Sequence, residues 1–156
     1  METRVVEGAI VILDLDRFGE EVEKRGLSEY SPNIATGTLT SLVEAFVSKW
    51  SAVVLYGLDH ARGTEEAVIV VPGVDPWELE EDLVGIARAI EELGFSVSIV
   101  ADRIPVVAYK PLRERRLYEP HYRRVKRLLA SVKRRGGGMV VIEGSVAYKI
   151  GGSRSG

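Results

Sequence analysis

Residues 9–18 read AIVILDLDRF, and this stretch gives the strongest indication of the fold. The run from Ala9 to Leu13 is apolar and rich in β-branched residues, which is typical of a strand buried on both faces. Asp14 and Asp16 follow directly. Because side chains two positions apart on a strand lie on the same side, about 7 Å from each other, the pattern predicts a buried strand that ends in a pair of carboxylates.

Hydrophobic periodicity and turn residues predict the elements that follow this strand. The predicted helices are 17–25, 36–50, 76–93 and 120–135, and the predicted strands are 52–56, 67–71, 95–101, 104–109 and 139–142. The core order is β-α-β-β-α-β, with an additional C-terminal helix and strand, which predicts an α+β fold of the ferredoxin-like type. We expect a single domain over residues 1–150 and a flexible tail over 151–156.

Length and composition restrict the class of protein. The 156 residues are 46% apolar and 28% charged, which excludes a mostly disordered chain. The longest uncharged apolar run is too short to cross a bilayer, no signal peptide opens the chain, and cysteine is absent. We therefore expect a cytoplasmic protein without a membrane partner. The chain has no glutamine, one asparagine, 17 glutamates and 15 arginines, a composition that favours a thermophilic source.

The net charge of −2 hides an uneven distribution. Residues 1–109 carry 20 acidic and 8 basic side chains, whereas residues 110–135, the basic segment, carry 11 basic and 2 acidic ones. One interpretation is that this segment binds an anionic ligand, RNA or single-stranded DNA, because its arginines are interleaved with tyrosines. The other is that it neutralises the acidic body within the fold or across a homo-oligomer interface. The arginines assigned to nucleic acid are Arg123, Arg124 and Arg127.

The aspartate pair is a candidate metal site. Two neighbouring carboxylates repel each other, and Mg²⁺ offsets that repulsion while typically taking only one or two carboxylates plus substrate phosphates. The tip of the predicted hairpin adds carboxylates on Asp59, Glu65 and Glu66. Neighbouring strands lie about 4.8 Å apart, so a carboxylate of the tip can complete an oxygen cluster with Asp14. The alternative is that these side chains are simply solvated.

Four stretches, in chain order, resemble the GGDEF diguanylate cyclases and related palm domains. Residues 12–18, ILDLDRF, resemble the opening strand of these domains, and residues 60–72, HARGTEEAVIVVP, resemble a degenerate GGDEF hairpin with its following strand. Residues 95–99 resemble the next core strand, and residues 131–136, SVKRRG, resemble the late lysine-bearing helix with its glycine stop. The resemblance implies a ferredoxin-like palm over most of the chain.

The wider group includes class III nucleotide cyclases, the palm of CRISPR effector complexes and the archaeal GTP cyclohydrolase of palm fold. These proteins are similar in binding nucleoside triphosphates through carboxylate-held Mg²⁺ or Mn²⁺. The resemblance therefore implies metal-dependent cyclase, cyclohydrolase or nucleotidyl-transfer chemistry on GTP or ATP.

The resemblance also assigns roles to residues of this chain. Asp14 is the implied metal ligand with Asp16 in support, and Glu65 or Glu66 is the second catalytic carboxylate, with Asp59 competing for the metal role. The implied phosphate-binding residues are Phe18, Lys133 and Arg134.

Two departures from the family pattern limit what the resemblance implies. Thr64 stands where the signature has a glycine, and no lysine follows Phe18. A side chain at the first position hinders close approach of a base or phosphate to the backbone. We therefore expect a small-nucleotide enzyme or an inactive nucleotide-binding relative rather than a synthase of cyclic dinucleotides. The alternative is a non-catalytic palm that binds RNA, single-stranded DNA or a protein partner through the basic segment.

Overall fold

A six-stranded sheet with helices on both faces forms the part of the chain that the structure describes. The structure is a computed structural model, and it describes residues 5–17, 20, 23–24, 26, 33–61, 63–107 and 115–151. The strands are β1 (Val5–Leu15), β2 (Val53–Gly57), β3 (Glu66–Pro72), β4 (Val97–Val107), β5 (Met139–Ile142) and β6 (Ser145–Lys149). The helices are α1 (Ile34–Trp50), α2 (Glu80–Glu92), which follows a 3₁₀ turn at Pro76–Leu79, and α3 (Arg115–Arg134). Within these residues, no helix is both long and apolar enough to cross a membrane.

The strand order across the sheet is β2-β3-β1-β4-β5-β6. The first strand lies inside the sheet, antiparallel to both β3 and β4, so both of its edges are paired. The β4–β5 pair is parallel. This arrangement confirms the predicted α+β fold, and residues 9–15 lie on one of its inner strands.

Two element predictions need correction. The separate strands predicted at 95–101 and 104–109 are one continuous strand, because β1 is long enough to pair with β4 from Val5↔Val107 to Leu15↔Val97. The hairpin partner β6 was not predicted; the chain reverses into it through Glu143 and Gly144, both with positive φ. The predicted helix over 17–25 falls largely outside the described residues, as do positions 152–156 of the predicted tail.

Alternation along β1 separates two hydrophobic cores. Ala9, Val11 and Leu13 pack with α1 and α2 on one face of the sheet. Ile10 and Ile12 pack with α3 on the other face. Side chains alternate along a strand, so an even-numbered residue of β1 lies on the α3 side. Asp14 continues this even-numbered series and therefore meets the basic helix.

The start of α1 is fixed by the chain's single asparagine. The side chain of Asn33 accepts hydrogen bonds from the backbone N–H groups of Ala35 and Thr36, both at 3.0 Å. The hydroxyl of Thr36 accepts the N–H of Asn33 in return, which closes a capping box. This cap holds the helix against the hairpin tip, since Thr36 also accepts a backbone bond from Thr64.

Candidate functional site

Two carboxylates and two lysines converge where β1 leaves the core. Asp14 lies directly opposite Glu66 of β3 in the antiparallel register, so both side chains are on the same face of the sheet. Helix α3 brings Lys133 to Asp14, with Nζ 3.3 Å from Oδ1. It also brings Lys126 to Glu66, with Nζ 2.5 Å from Oε1. We call these four residues the carboxylate–lysine cluster.

Burial and charge act in opposite directions on this cluster. Burial raises the pKa of Asp14, and although Lys133 opposes it, the nearby charge of Glu66 adds to the rise, so the net pKa lies above the usual value. For Lys126, burial lowers the pKa, but the hydrogen bond and charge of Glu66 outweigh it and leave the pKa above the usual value. The site therefore favours added positive charge next to Asp14.

Asp16 lies on the same side as Asp14, as predicted, because Lys133 Nζ is also 3.2 Å from Asp16 Oδ1. Its surroundings are different, since its side chain is only 7% exposed. Ser98 donates to Oδ1 at 2.6 Å, Ser96 donates to Oδ2 at 2.6 Å, and the N–H of Gly138 donates to Oδ2 at 2.8 Å. The carboxylate thus ties the end of β1 to β4 and to the turn before β5.

The glycines after α3 are part of this arrangement. Gly137 has φ +70°, and a Cβ there would come within 2.6 Å of the Asp16 carboxylate. Ending the helix does not by itself require a glycine at this position. Gly137 is required because any side chain there would collide with the buried Asp16 carboxylate.

The tip of the β2–β3 hairpin is docked on α1. The hydroxyls of Thr64 and Thr40 are 2.7 Å apart, and the N–H of Asp59 donates to the Thr64 hydroxyl at 3.2 Å. The carbonyl of Glu65 accepts the N–H of Leu15 at 2.9 Å, so the tip is also fixed to β1. Thr64 thus has a structural role at the tip of the hairpin.

The predicted carboxylates of the tip gather on one cleft. Asp59, Glu65 and Glu66 line a cleft of about 580 Å³ beside the end of β2. Only Glu66 of these three is in register with Asp14. His60, at the same tip, is exposed and pairs with Glu44 of α1.

The donor set fits a divalent cation of the magnesium type with two protein carboxylates. Among the described residues, no group of three or more histidine, aspartate or glutamate side chains is arranged to hold a metal ion. Asp14 and Glu66 together supply the one or two carboxylates that Mg²⁺ usually takes, with phosphate oxygens completing its shell. In the structure, the ammonium group of Lys133 lies between the Asp14 and Asp16 carboxylates. Phe18, predicted to contact phosphate, lies outside the described residues.

Part of the basic segment neutralises the acidic body within the fold. Besides the lysines of the cluster, Arg124 pairs with Asp102 of β4 at 3.0 Å. Among the described residues, Arg123 pairs with Glu119 of its own helix at 2.9 Å, and it is 68% exposed. Arg127 and Arg134 are exposed and make no ion pair with another described residue. The inner side of the helix is thus occupied, whereas Arg127 and Arg134 on its outer side have no ion-pair partner in the part of the chain that the structure describes.

Sequence reasoning missed several contributors to the site. Lys126 is one, although it lies two helical turns before Lys133 and so shares its face. Ser96 and Ser98 are others, and their alternation in an otherwise apolar strand was the available signal. Their common partner, Asp16, is 80 and 82 positions away, so their role follows only from the fold.

Comparisons with known proteins support the fold. No protein-family model and no curated protein sequence matches the chain. The GGDEF domain of DgcB from Caulobacter crescentus, solved in complex with c-di-GMP, is similar with a TM-score of 0.62 at 17% identity, over 89% of this chain and 79% of that one. The active GGEEF domain of a diguanylate cyclase from Vibrio cholerae is similar with a TM-score of 0.54 at 17% identity, over 88% and 83% of the two chains.

A bacterial light-regulated adenylyl cyclase is also similar, with a TM-score of 0.57 at 12% identity; the match covers 86% of this chain but only 42% of that one. At such identities the likeness concerns the fold. The chain has the palm-like fold shared by GGDEF domains and nucleotide cyclases, which confirms the fold implied by the four sequence stretches.

Proposed function

We propose that this protein is a nucleoside-triphosphate-binding palm domain that depends on Mg²⁺ or Mn²⁺ and acts on GTP or ATP. The observation that carries the proposal is the carboxylate–lysine cluster. It pairs two carboxylates in register with two lysines from one helix, at the end of the central strand. Such a site has two requirements: carboxylates that hold the metal ion, and positively charged side chains beside them that bind the phosphates.

Each residue of the cluster has a defined part in this proposal. Asp14 and Glu66 hold the metal, with Glu65 as the neighbouring carboxylate, and the bound metal neutralises charge on the phosphates. Lys133 binds phosphate oxygens together with Arg134 at the end of the same helix. Asp16 positions Lys133 and the glycine turn rather than binding the metal, because its oxygens already accept three hydrogen bonds and form an ion pair with Lys133.

Cyclase, cyclohydrolase or nucleotidyl-transfer chemistry is compatible with this constellation, since all three begin with a metal-bound triphosphate. The fixed hairpin tip is evidence against the synthesis of cyclic dinucleotides. Thr64 turns its hydroxyl to α1, and its Cβ stands where the signature has only glycine backbone. A base or phosphate cannot approach that backbone as closely as it can approach glycine.

A second candidate function is binding of RNA or single-stranded DNA through the outer side of α3. The exposed arginines Arg123 and Arg127 favour it. The ion pair of Arg124 with Asp102 removes one of the three arginines assigned to this role. We therefore place the nucleotide site first.

Thermal stabilisation tests the proposal, because a ligand that binds the folded state raises its melting temperature. We expect GTP or ATP to raise Tm only when Mg²⁺ is present, and Asp14→Asn to abolish the shift. Glu7→Gln is the matched control, a carboxylate at the other end of β1 that is 78% exposed. Absence of a shift with any nucleotide, or an equal shift in Asp14→Asn, would overturn the proposal.

The same preparation tests the second candidate. A single-stranded oligonucleotide should stabilise the protein in a salt-dependent way, and Arg123→Glu with Arg127→Glu should abolish that effect. Asp14→Asn should leave it unchanged. The two functions are thus separated by which substitution removes binding.

A further inference from the structure

Helix α2 contains an exposed glycine near its middle, at a position where the rest of the fold does not require one. Gly85 has no positive φ, so its backbone is open to any residue, and glycine is a poor helix former. A Cβ built at this position would come within 4 Å of no described atom from elsewhere in the fold. Neither the backbone conformation nor packing within the described residues therefore explains the missing side chain.

Gly85 lies at the rim of a cleft between α1 and α2 that has a volume of about 720 Å³. The partly buried apolar side chains of Leu42 and Val84 line the same cleft and pack on the core beneath it. Because Gly85 has no side chain, another backbone can approach α2 closely at this point. The surface thus combines apolar contact area with room for a second helix.

Two opposite charges flank Gly85 on the exposed face of α2. Glu81 lies one helical turn before it and Arg88 one turn after it, and both side chains are exposed. They are seven residues apart, about 10.5 Å along the helix axis. Neither forms an ion pair with any residue in the described part of the chain. The guanidinium of Arg88 lies over the ring of Tyr148, 5.4 Å from its centroid, which limits its freedom.

A two-fold axis at Gly85 would satisfy both charges at once. If α2 packs antiparallel on the α2 of a second copy, the two Gly85 backbones meet, and Glu81 of each copy faces Arg88 of the other. The like charges of Glu78 and Glu92 lie seven residues from Gly85 in either direction, where two crossing helices have diverged. The face is therefore complementary in charge to itself.

We propose that the exposed face of α2, centred on Gly85, binds the same face of a second copy, so that the protein forms a two-fold symmetric dimer. The apolar side chains of the cleft drive the association, and the two Glu81–Arg88 pairs fix its orientation. Because α1 and α2 cover the face of the sheet opposite α3, the carboxylate–lysine cluster and the basic segment stay outside this interface. The inference does not depend on the proposed function.

Sedimentation velocity of the full chain, from low to high micromolar concentration, measures the association. We expect a monomer–dimer equilibrium that weakens with added salt, because salt screens ion pairs between exposed charges. Gly85→Leu should stay monomeric, since two leucines would collide at the axis. Its urea midpoint, measured where both proteins are monomeric, should not fall, because leucine is the better helix former. Gly37→Leu, at a helical glycine of α1 with similarly open surroundings, is the matched control and should dimerise normally.

Charge reversal tests the orientation of the dimer. Arg88→Glu and Glu81→Arg should each weaken dimerisation by about 10- to 100-fold, because two attractive pairs become two repulsive ones. An equimolar mixture of these two variants should dimerise as the wild type does, since every contact across the axis then joins opposite charges. Arg123→Glu, the same reversal on α3, should leave dimerisation unchanged.

Three results would overturn the inference. The first is a wild-type chain that stays monomeric at every concentration. The second is dimerisation that Gly85→Leu leaves intact or that Arg123→Glu abolishes, because the contact would then lie elsewhere. The third is a mixture of Arg88→Glu with Glu81→Arg that dimerises no better than either variant alone. If Gly85→Leu fails to fold, the two charge reversals still decide, because both change exposed side chains.

Discussion

Asp16 holds three parts of the structure together, and its replacement by alanine should destabilise the protein strongly. The carboxylate accepts hydrogen bonds from Ser96, Ser98 and the N–H of Gly138, and an ion pair from Lys133. A hydrogen bond to a charged group contributes about 1.5–3 kcal/mol, and a buried donor left without an acceptor costs about 1–3 kcal/mol.

The structure indicates which of these losses are compensated. The N–H of Gly138 keeps the Ser98 hydroxyl as a second acceptor at 3.2 Å. Ser96 is half-buried, so its hydroxyl can turn to water. Ser98 is fully buried, and it loses its acceptor. Since only the Ser98 bond is left uncompensated, we expect the free energy of unfolding to fall by about 2–3 kcal/mol, which for a domain of this size lowers Tm by roughly 4–12 °C.

Urea denaturation with a two-state fit measures this loss directly. Asp14→Ala is the matched control, since it removes the same group two positions earlier. Asp14 has one ion-pair partner among the described residues, and burial disfavours its charge, so the control should lose less than about 1 kcal/mol. A loss below about 1 kcal/mol for Asp16→Ala, or equal losses for the two variants, would refute the assignment of Asp16 as the structural carboxylate.

Two further predictions concern the cluster itself. Lys133→Met removes the cation between Asp14 and Asp16, so Mg²⁺ alone should raise Tm in this variant and not in the wild type. Arg127→Met, on the same helix, is the control. If Mg²⁺ raises the Tm of neither variant, the prediction is contradicted. The raised pKa of Asp14 means that the folded state binds more protons than the unfolded state above pH 3.8, so stability falls as the pH rises from 3.8 through the folded-state pKa. The free energy of unfolding of Asp14→Asn, measured by urea denaturation across pH 3–7, should lack this loss. If it differs from that of the wild type by the same amount at every pH, the prediction is contradicted.

The fold was predictable because its signals are local. An unbroken apolar run is unfavourable at the surface and therefore predicts a buried strand. The helices carry apolar residues at helical spacing, with polar caps at their starts. The errors arose where pairing partners determine the element. β4 continues through Asp102 and Arg103 because β1 pairs with it along its whole length, and β6 exists because Met139–Ile142 presents an edge to it.

The site was predictable in part, for a related reason. The register places Glu66 opposite Asp14, and the expectation that the β2–β3 hairpin lies beside the first strand makes that juxtaposition accessible from the sequence. The different roles of Asp14 and Asp16 were not accessible in this way. Two identical side chains at neighbouring positions differ only in what the fold brings to them, and the partners of Asp16 come from residues 96–138.

The charge balance of the cluster together with Asp16 explains how this fold can hold three carboxylates without a metal ion between them. Asp14, Asp16 and Glu66 carry three negative charges, which Lys126 and Lys133 reduce to a net of −1. A metal ion arriving alone must take the place of Lys133 at Asp14, so that the ammonium group loses one carboxylate partner and keeps Asp16 and the carbonyl of Leu15. A metal ion that arrives with phosphate replaces the lost partner, because the phosphate oxygens accept the lysine as it leaves Asp14. Metal and nucleotide should therefore bind together and each increase the affinity for the other, since coupling between two ligands is reciprocal.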